Sequence, residues 1–153
     1  MSGKVTNLWG QSTEVTFSEG PVMILDDNGY DAEIAQRAIE DLNPVYPVQI
    51  VCSGDDLIAY LRGDAIYSDR KTYPLPGVIL LDLHMPQMDG FAVLSWLLEN
   101  PRYSKAPVVV LSGTQSIASH VAKSLQHGAK FFLTKPVDIE DFKAVVSALN
   151  VRI

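Results

Sequence analysis

Five short, nearly continuous apolar runs punctuate the chain, and they constrain its fold more than any other feature. They are Val22–Leu25, Val48–Cys52, Val78–Leu81, Val108–Ser112 and Phe131–Thr134. Each is brief and free of polar alternation, as in strands covered on both faces. Between them the apolar spacing changes to a helical period. Asp31–Leu42 carries Ile34, Ala35, Ala38, Ile39 and Leu42 on one stripe. Ser53–Leu61 opens on a capping serine, with Asp55 and Asp56 in the first turn where carboxylates suit the helix dipole. Gly90–Leu98, Gln115–His127 and Asp138–Leu149 complete the set, and Gly128 is a natural stop after His127. Ile139, Phe142, Val146, Leu149 and Ile153 form a core stripe on the last helix. Strands that alternate with helices in this way are joined by parallel crossovers. The expected fold class is α/β, a doubly wound five-stranded parallel sheet.

With 153 residues, the chain suits one domain with a single core. Residues 1–20 are polar, with scattered apolar positions such as Trp9, Val15 and Phe17, and read as an N-terminal extension ahead of a domain over 21–153. The formal net charge is −6, from 18 acidic and 12 basic residues, and no basic stripe is present. Nucleic acid and anionic membranes are therefore poor partners. The single cysteine, Cys52, allows no intramolecular disulfide and fits a cytoplasmic protein. At a strand end it reads as a small buried apolar group. Residues 1–20 lack the apolar core of a signal peptide, and no run is long enough to span a bilayer.

In open parallel sheets, ligands bind at the carboxyl ends of the strands. The first strand here ends in Leu25-Asp26-Asp27, the third in Asp82, the fourth in Ser112-Gly113, and the fifth in Thr134-Lys135-Pro136. The topology brings Asp26, Asp27, Asp82, Ser112 and Lys135 to one edge. Like charges at close range raise at least one pKa or demand a cation. Lys135 offsets part of that charge. Oxygen-only ligands favour Mg²⁺, which keeps coordination positions for phosphoryl oxygens. The cluster thus reads as a phosphoryl site in which an aspartate is the nucleophile.

Four segments, "ILDDN" (24–28), "ILLDLHMPQMDG" (79–90), "VVLSG" (109–113) and "GAKFFLTKP" (128–136), together resemble the receiver domain of two-component response regulators. The likeness covers roughly residues 21–150 and implies a flavodoxin-like (βα)5 fold. It implies that Asp82 accepts a phosphoryl group from a sensor histidine kinase, and that Asp26, Asp27 and Asp82 bind Mg²⁺ with the main-chain oxygen of His84. Ser112 takes the place of the switch hydroxyl and Lys135 that of the site lysine, with a cis bond before Pro136. His84 and Thr114 occupy positions that tune phosphoryl lifetime in relatives. Phe132 holds the place of an aromatic residue that rotates when the hydroxyl shifts, so that the surface of the fourth helix, fifth strand and fifth helix reports the change. As plain strand residues, one of Phe131 and Phe132 is core. The long link 60–77 and the additional acid Asp31 resemble single-domain receivers that partner bacteriophytochrome-type kinases, a subgroup that often dimerises. Signalling would then run through contact with a downstream protein, as output, phosphorelay carrier or phosphate sink.

Other readings fit the residues less well. An aspartyl-phosphate phosphatase needs a second aspartate two residues past the nucleophile, where this chain has His84, so no enzyme is expected. In a nucleotide-binding flavodoxin-like module, "LDDNGYD" would repel phosphates without a metal. A receiver that only binds partners would not need the intact set of acids, hydroxyl and lysine. None of His84, His120 and His127 is spaced i,i+4 from another, which argues against zinc. His120 and His127 read as solvent-facing. The helix Gly90–Leu98 is apolar all round, with Phe91, Leu94 and Leu98 on one face and Val93, Trp96 and Leu97 on another. Its outer face therefore needs a cover, from Trp9 or Phe17 of the extension or from a partner. Ala144, Ala148 and Val151 on the last helix add exposed apolar surface.

Overall fold

The structure, a computed structural model, describes residues 2–6, 12–16, 20–83, 90–113 and 123–149. Strands β1 (Ser2–Thr6) and β2 (Ser12–Thr16) pair antiparallel as a separate two-stranded sheet. This hairpin falls in a segment with no alternating apolar pattern, which is why the sequence reads there as plain extension. The main sheet contains β3 (Val22–Leu25), β4 (Val48–Val51), β5 (Val78–Asp82), β6 (Val108–Ser112) and β7 (Phe131–Thr134). Its order is β4-β3-β5-β6-β7, and every pairing is parallel. The expected doubly wound architecture is present.

The central strands are buried on both faces because helices cover both. Val22, Ile24, Val78, Leu80, Val109, Leu111 and Leu133 face one way, against α1 (Gly29–Leu42) and α4 (Ile139–Leu149). Met23, Leu25, Ile79, Leu81, Val108 and Val110 face the other way, against α2 (Gly54–Arg62) and α3 (Gly90–Glu99). Strict alternation between two apolar layers explains why these strands are continuous apolar runs. Ser53 caps α2 by accepting from the Asp56 amide at 3.1 Å, as its sequence signature predicts. The helix Gln115–His127 lies largely outside the described residues, as do His120, Val151 and Ile153. Its end is described, and Gly128 follows it at φ +96, a conformation that glycine adopts without strain.

Several sequence expectations are corrected. Cys52 is exposed, because β4 is an edge strand that ends at Val51 and leaves the next side chain outside the core. Neither Phe131 nor Phe132 is core, at 37% and 47% exposure, because β7 is the other edge and buries only Leu133. In α4 the buried side chains are Phe142 and Val145, while Ile139, Val146 and Leu149 are partly buried beside them. On α3, Trp96 stacks on Tyr103 with ring centroids 5.6 Å apart, whereas Leu98 stays 61% exposed. Trp9 and Phe17 lie outside the described residues. His127 is half-buried, with its ring edge-on to Phe91 and its Nδ1 2.8 Å from the Lys123 carbonyl.

The long link after α2 is built, not slack. Gly63 ends the helix in the left-handed region at φ 74, and a 3₁₀ turn follows at Ala65–Ser68. Arg70 folds back and donates to the carbonyls of Tyr60, Leu61 and Tyr73. Tyr60, Tyr67 and Tyr73 pack ring to ring with centroids 5.0–5.9 Å apart, and the Tyr60 hydroxyl donates to the Pro74 carbonyl.

Candidate functional site

The carboxyl ends of β3, β5, β6 and β7 gather the residues singled out from the sequence. Parallel register sets Leu25 beside Leu81, Asp82 beside Leu111, and Ser112 beside Thr134. Asp26, Asp82 and Ser112 therefore emerge at the same level, and all three are buried. Lys135 follows directly on β7, its amide bonded to the Ser112 carbonyl at 2.7 Å. The Lys135–Pro136 bond is cis, as the resemblance implies.

Lys135 is the hub. Its Nζ lies 2.8 Å from Asp26 Oδ2, 3.2 Å from Asp82 Oδ2 and 3.2 Å from Asp31 Oδ2. Burial pulls the ammonium's pKa down, but contact with Asp26 and the charges of Asp82 and Asp26 outweigh it and push the pKa up to about 12. The lysine is therefore charged at neutral pH. Asp26 Oδ2 is buried, makes no aligned hydrogen bond and meets that ammonium as an ion pair. Its other oxygen accepts from the Asn28 amide at 2.9 Å. Asn28 in turn caps α1, accepting from the amides of Tyr30 and Asp31. One chain of hydrogen bonds thus ties the first strand end to the first helix.

Asp26, Asp27 and Asp82 each place a carboxylate oxygen within 4.8 Å of the others. A small divalent cation with bonds of about 2.0–2.1 Å spans opposite oxygens about 4.2 Å apart, so slight side-chain rotation closes this set around one. Three oxygen donors and the incompletely satisfied Asp26 suit such an ion. Asp27 is exposed and opens the cluster to solvent. His84 and Thr114 lie outside the described residues. Sequence reasoning missed the contact of Asp31 with Lys135 and the cap at Asn28. The signal for both was present as an Asx residue just before the first helical turn, with an acid three residues on.

Gly90, at the start of α3, is buried against the strand end. Its amide donates to the Leu83 carbonyl at 3.2 Å. A Cβ at this position would lie 2.6 Å from the Asp82 carbonyl oxygen and 2.6 Å from Leu83 Cα. The helix therefore touches the backbone that carries Asp82.

Residues 22–147 match the response regulator receiver domain family. The chain is 31% identical over 141 residues to the probable methanogenesis regulatory protein FilR2 of Methanothrix harundinacea, covering 91% of this chain and 88% of that one. It is 27% identical over 129 residues to the response regulator Rcp1 of Synechocystis, covering 84% and 85%. Among solved structures, the bacteriophytochrome response regulator RtBRR superposes with a TM-score of 0.74 at 28% identity, covering 90% of this chain and 81% of that one. The bacteriophytochrome response regulator AtBRR gives 0.73 at 27% identity, covering 90% and 96%. The Mn(2+)-bound form of Rcp1 gives 0.67 at 26% identity, covering 86% and 92%. Among the described residues, no helix is long and apolar enough to cross a membrane. With this fold, this cluster of acids around one lysine, and these relatives, the chain belongs to the receiver domain family of two-component response regulators.

Proposed function

We propose that this receiver accepts a phosphoryl group on Asp82 from the phosphohistidine of a sensor kinase and signals through protein contacts. The observation that carries the reading is the convergence of a charged Lys135 on Asp26 and Asp82, beside a three-carboxylate cluster. An Asp82 oxygen attacks phosphorus in line. The phosphorus–nitrogen bond breaks, and the imidazole keeps the electron pair. Transfer of this kind depends on positioning and charge neutralisation more than on covalent help. Asp26, Asp27 and Asp82, with the main-chain oxygen of His84, would hold Mg²⁺, which when bound neutralises charge on the phosphoryl oxygens. Lys135, in contact with Asp26 and Asp82, supplies a second positive charge. Ser112, buried at the end of β6, offers a hydroxyl to the new phosphoryl group. Asp82 gains its rigidity from a strand buried at every position.

The partner reading follows from likeness. Similarity to RtBRR and AtBRR supports a bacteriophytochrome-type kinase as the donor, and a homodimer is what the resemblance to that subgroup implies. Phe132, half exposed on the edge strand, is the residue taken to rotate on activation. The functional unit is residues 21–153, in the cytoplasm, with the β1–β2 hairpin in the extension before it and no catalytic turnover of its own.

The test is intact mass after incubation with acetyl phosphate and Mg²⁺. The expected result is one phosphoryl adduct on the wild type and none on Asp82→Asn. An equal adduct on both would place the acceptor elsewhere. No adduct on a wild type that binds Mg²⁺ would favour a phosphorylation-independent binding module.

A further inference from the structure

Lys135 has three N–H donors and faces three carboxylates, which are not equivalent. The Asp26 side chain is 0% exposed and that of Asp82 is 4% exposed, whereas that of Asp31 is 30% exposed. The contact to Asp31 is an aligned hydrogen bond, unlike the approach to Asp26 Oδ2. Asp31 is also firmly placed. It sits in the first turn of α1, its amide held by the Asn28 cap, whose own amide is bonded to Asp26. The chemistry proposed for Asp82 makes no use of it.

The ammonium lies 2.8–3.2 Å from three carboxylates, hydrogen-bonded to Asp31 and ion-paired with Asp26 and Asp82. A phosphoryl oxygen on Asp82 would draw it away from one of them. Releasing Asp26 would strand a buried charge, which is costly. Asp82 is the modified residue itself. Asp31 can turn to water at small cost because it is partly exposed. Resting on the reading of Asp82 as acceptor, we infer that Asp31 is a positioning residue that holds Lys135 before phosphorylation and is exchanged for a phosphoryl oxygen afterwards. It thereby opposes the phosphorylated state twice: the lysine must be taken from it, and its own charge stays near the phosphoryl group.

Two measurements test this on the full chain with wild type, Asp31→Ala and Asp31→Glu. The first uses the metal-free protein and needs no phosphorylation. Brief acetylation with acetic anhydride is mapped by mass spectrometry, with exposed Lys130 as internal reference. Labelling of Lys135 relative to Lys130 rises several-fold in Asp31→Ala and stays near wild type in Asp31→Glu. An unchanged ratio in Asp31→Ala overturns the holding role. The second is affinity for beryllofluoride with Mg²⁺, a mimic of the phosphoryl group on a carboxylate. Asp31→Ala binds it about threefold to tenfold more tightly, as expected for removal of one partly exposed charge, and Asp31→Glu binds as wild type does. Equal or weaker binding by Asp31→Ala, with wild type binding normally, overturns the exchange and leaves the acceptor reading intact. A wild type that does not bind the mimic overturns the acceptor reading and the exchange with it, while the acetylation result still decides whether Asp31 holds the lysine.

Discussion

Substitution of Gly90 by alanine perturbs Asp82, the proposed acceptor, without touching any site side chain. The added Cβ would fall 2.6 Å from the Asp82 carbonyl oxygen, 2.6 Å from Leu83 Cα and 3.1 Å from the Leu83 carbonyl carbon. Ordinary contact begins near 3.4 Å, so the shortfall is about 0.8 Å, and the atoms in the way are backbone. Either the strand end or the first turn of α3 must move. Overpacking of this kind costs about 1–3 kcal/mol, which for a domain of this size corresponds to a fall in Tm of about 4–8 °C at the middle of that range. If the strand end gives way, Asp82 shifts relative to Lys135 and to the other two acids. A misplacement near 1 Å costs up to about 100-fold in rate. The assay is a time course of adduct formation with acetyl phosphate by intact mass, alongside a thermal melt. A slowed adduct with a lowered Tm is expected. A lowered Tm with the wild-type rate would show that α3 takes up the strain, which refutes the coupling of Gly90 to the acceptor. No change in either would refute the close contact itself.

Three further outcomes are expected. Arg70→Ala removes a charged donor from three carbonyls, so urea unfolding should show a loss of about 1–3 kcal/mol, with faster amide exchange in residues 63–76. Phe142→Ala empties the largest buried side chain of α4 and should cost about 3–5 kcal/mol in the same assay. Stability should be insensitive to Lys135 and Tyr60 below about pH 10 and should fall from there to about pH 12. The Lys135 ammonium is lowered by burial but raised more strongly by Asp26 and Asp82, to about 12. Burial lifts the Tyr60 phenol to about 12 against the pull of Arg70. Both keep a proton in the folded chain that the unfolded chain has already lost in that window. A melt series whose decline sets in well below pH 10 would contradict the assignment.

The strands were legible because burial on two faces leaves an unbroken apolar run, and all five expected ranges agree with the structure to within one residue, those of β3, β6 and β7 without difference. Edges were less legible. Nothing in "FFLT" distinguishes a central strand from an outer one, so one of Phe131 and Phe132 read as core whereas both are partly exposed, and Cys52 misled for the same reason. The site was legible as a set of strand ends, since parallel topology alone brings Asp26, Asp82, Ser112 and Lys135 together. Asp31 was visible only as an additional acid. Its place in the first turn follows from the local Asn28 cap, but its reach to Lys135 is a tertiary contact with no periodic signature. The link 60–77 was legible as long but not as ordered, because its order comes from Arg70 meeting carbonyls up to ten residues away.

Lys135 meets Asp31 across 104 residues of chain, and it does so from the last strand of the sheet. A chain that has folded β3, β4 and β5 but not docked β7 would hold its carboxylates together without their lysine. Self-repulsion would work against that partial assembly until the ammonium arrives. The charge that equips the finished protein for phosphoryl chemistry thus also marks completion of the fold.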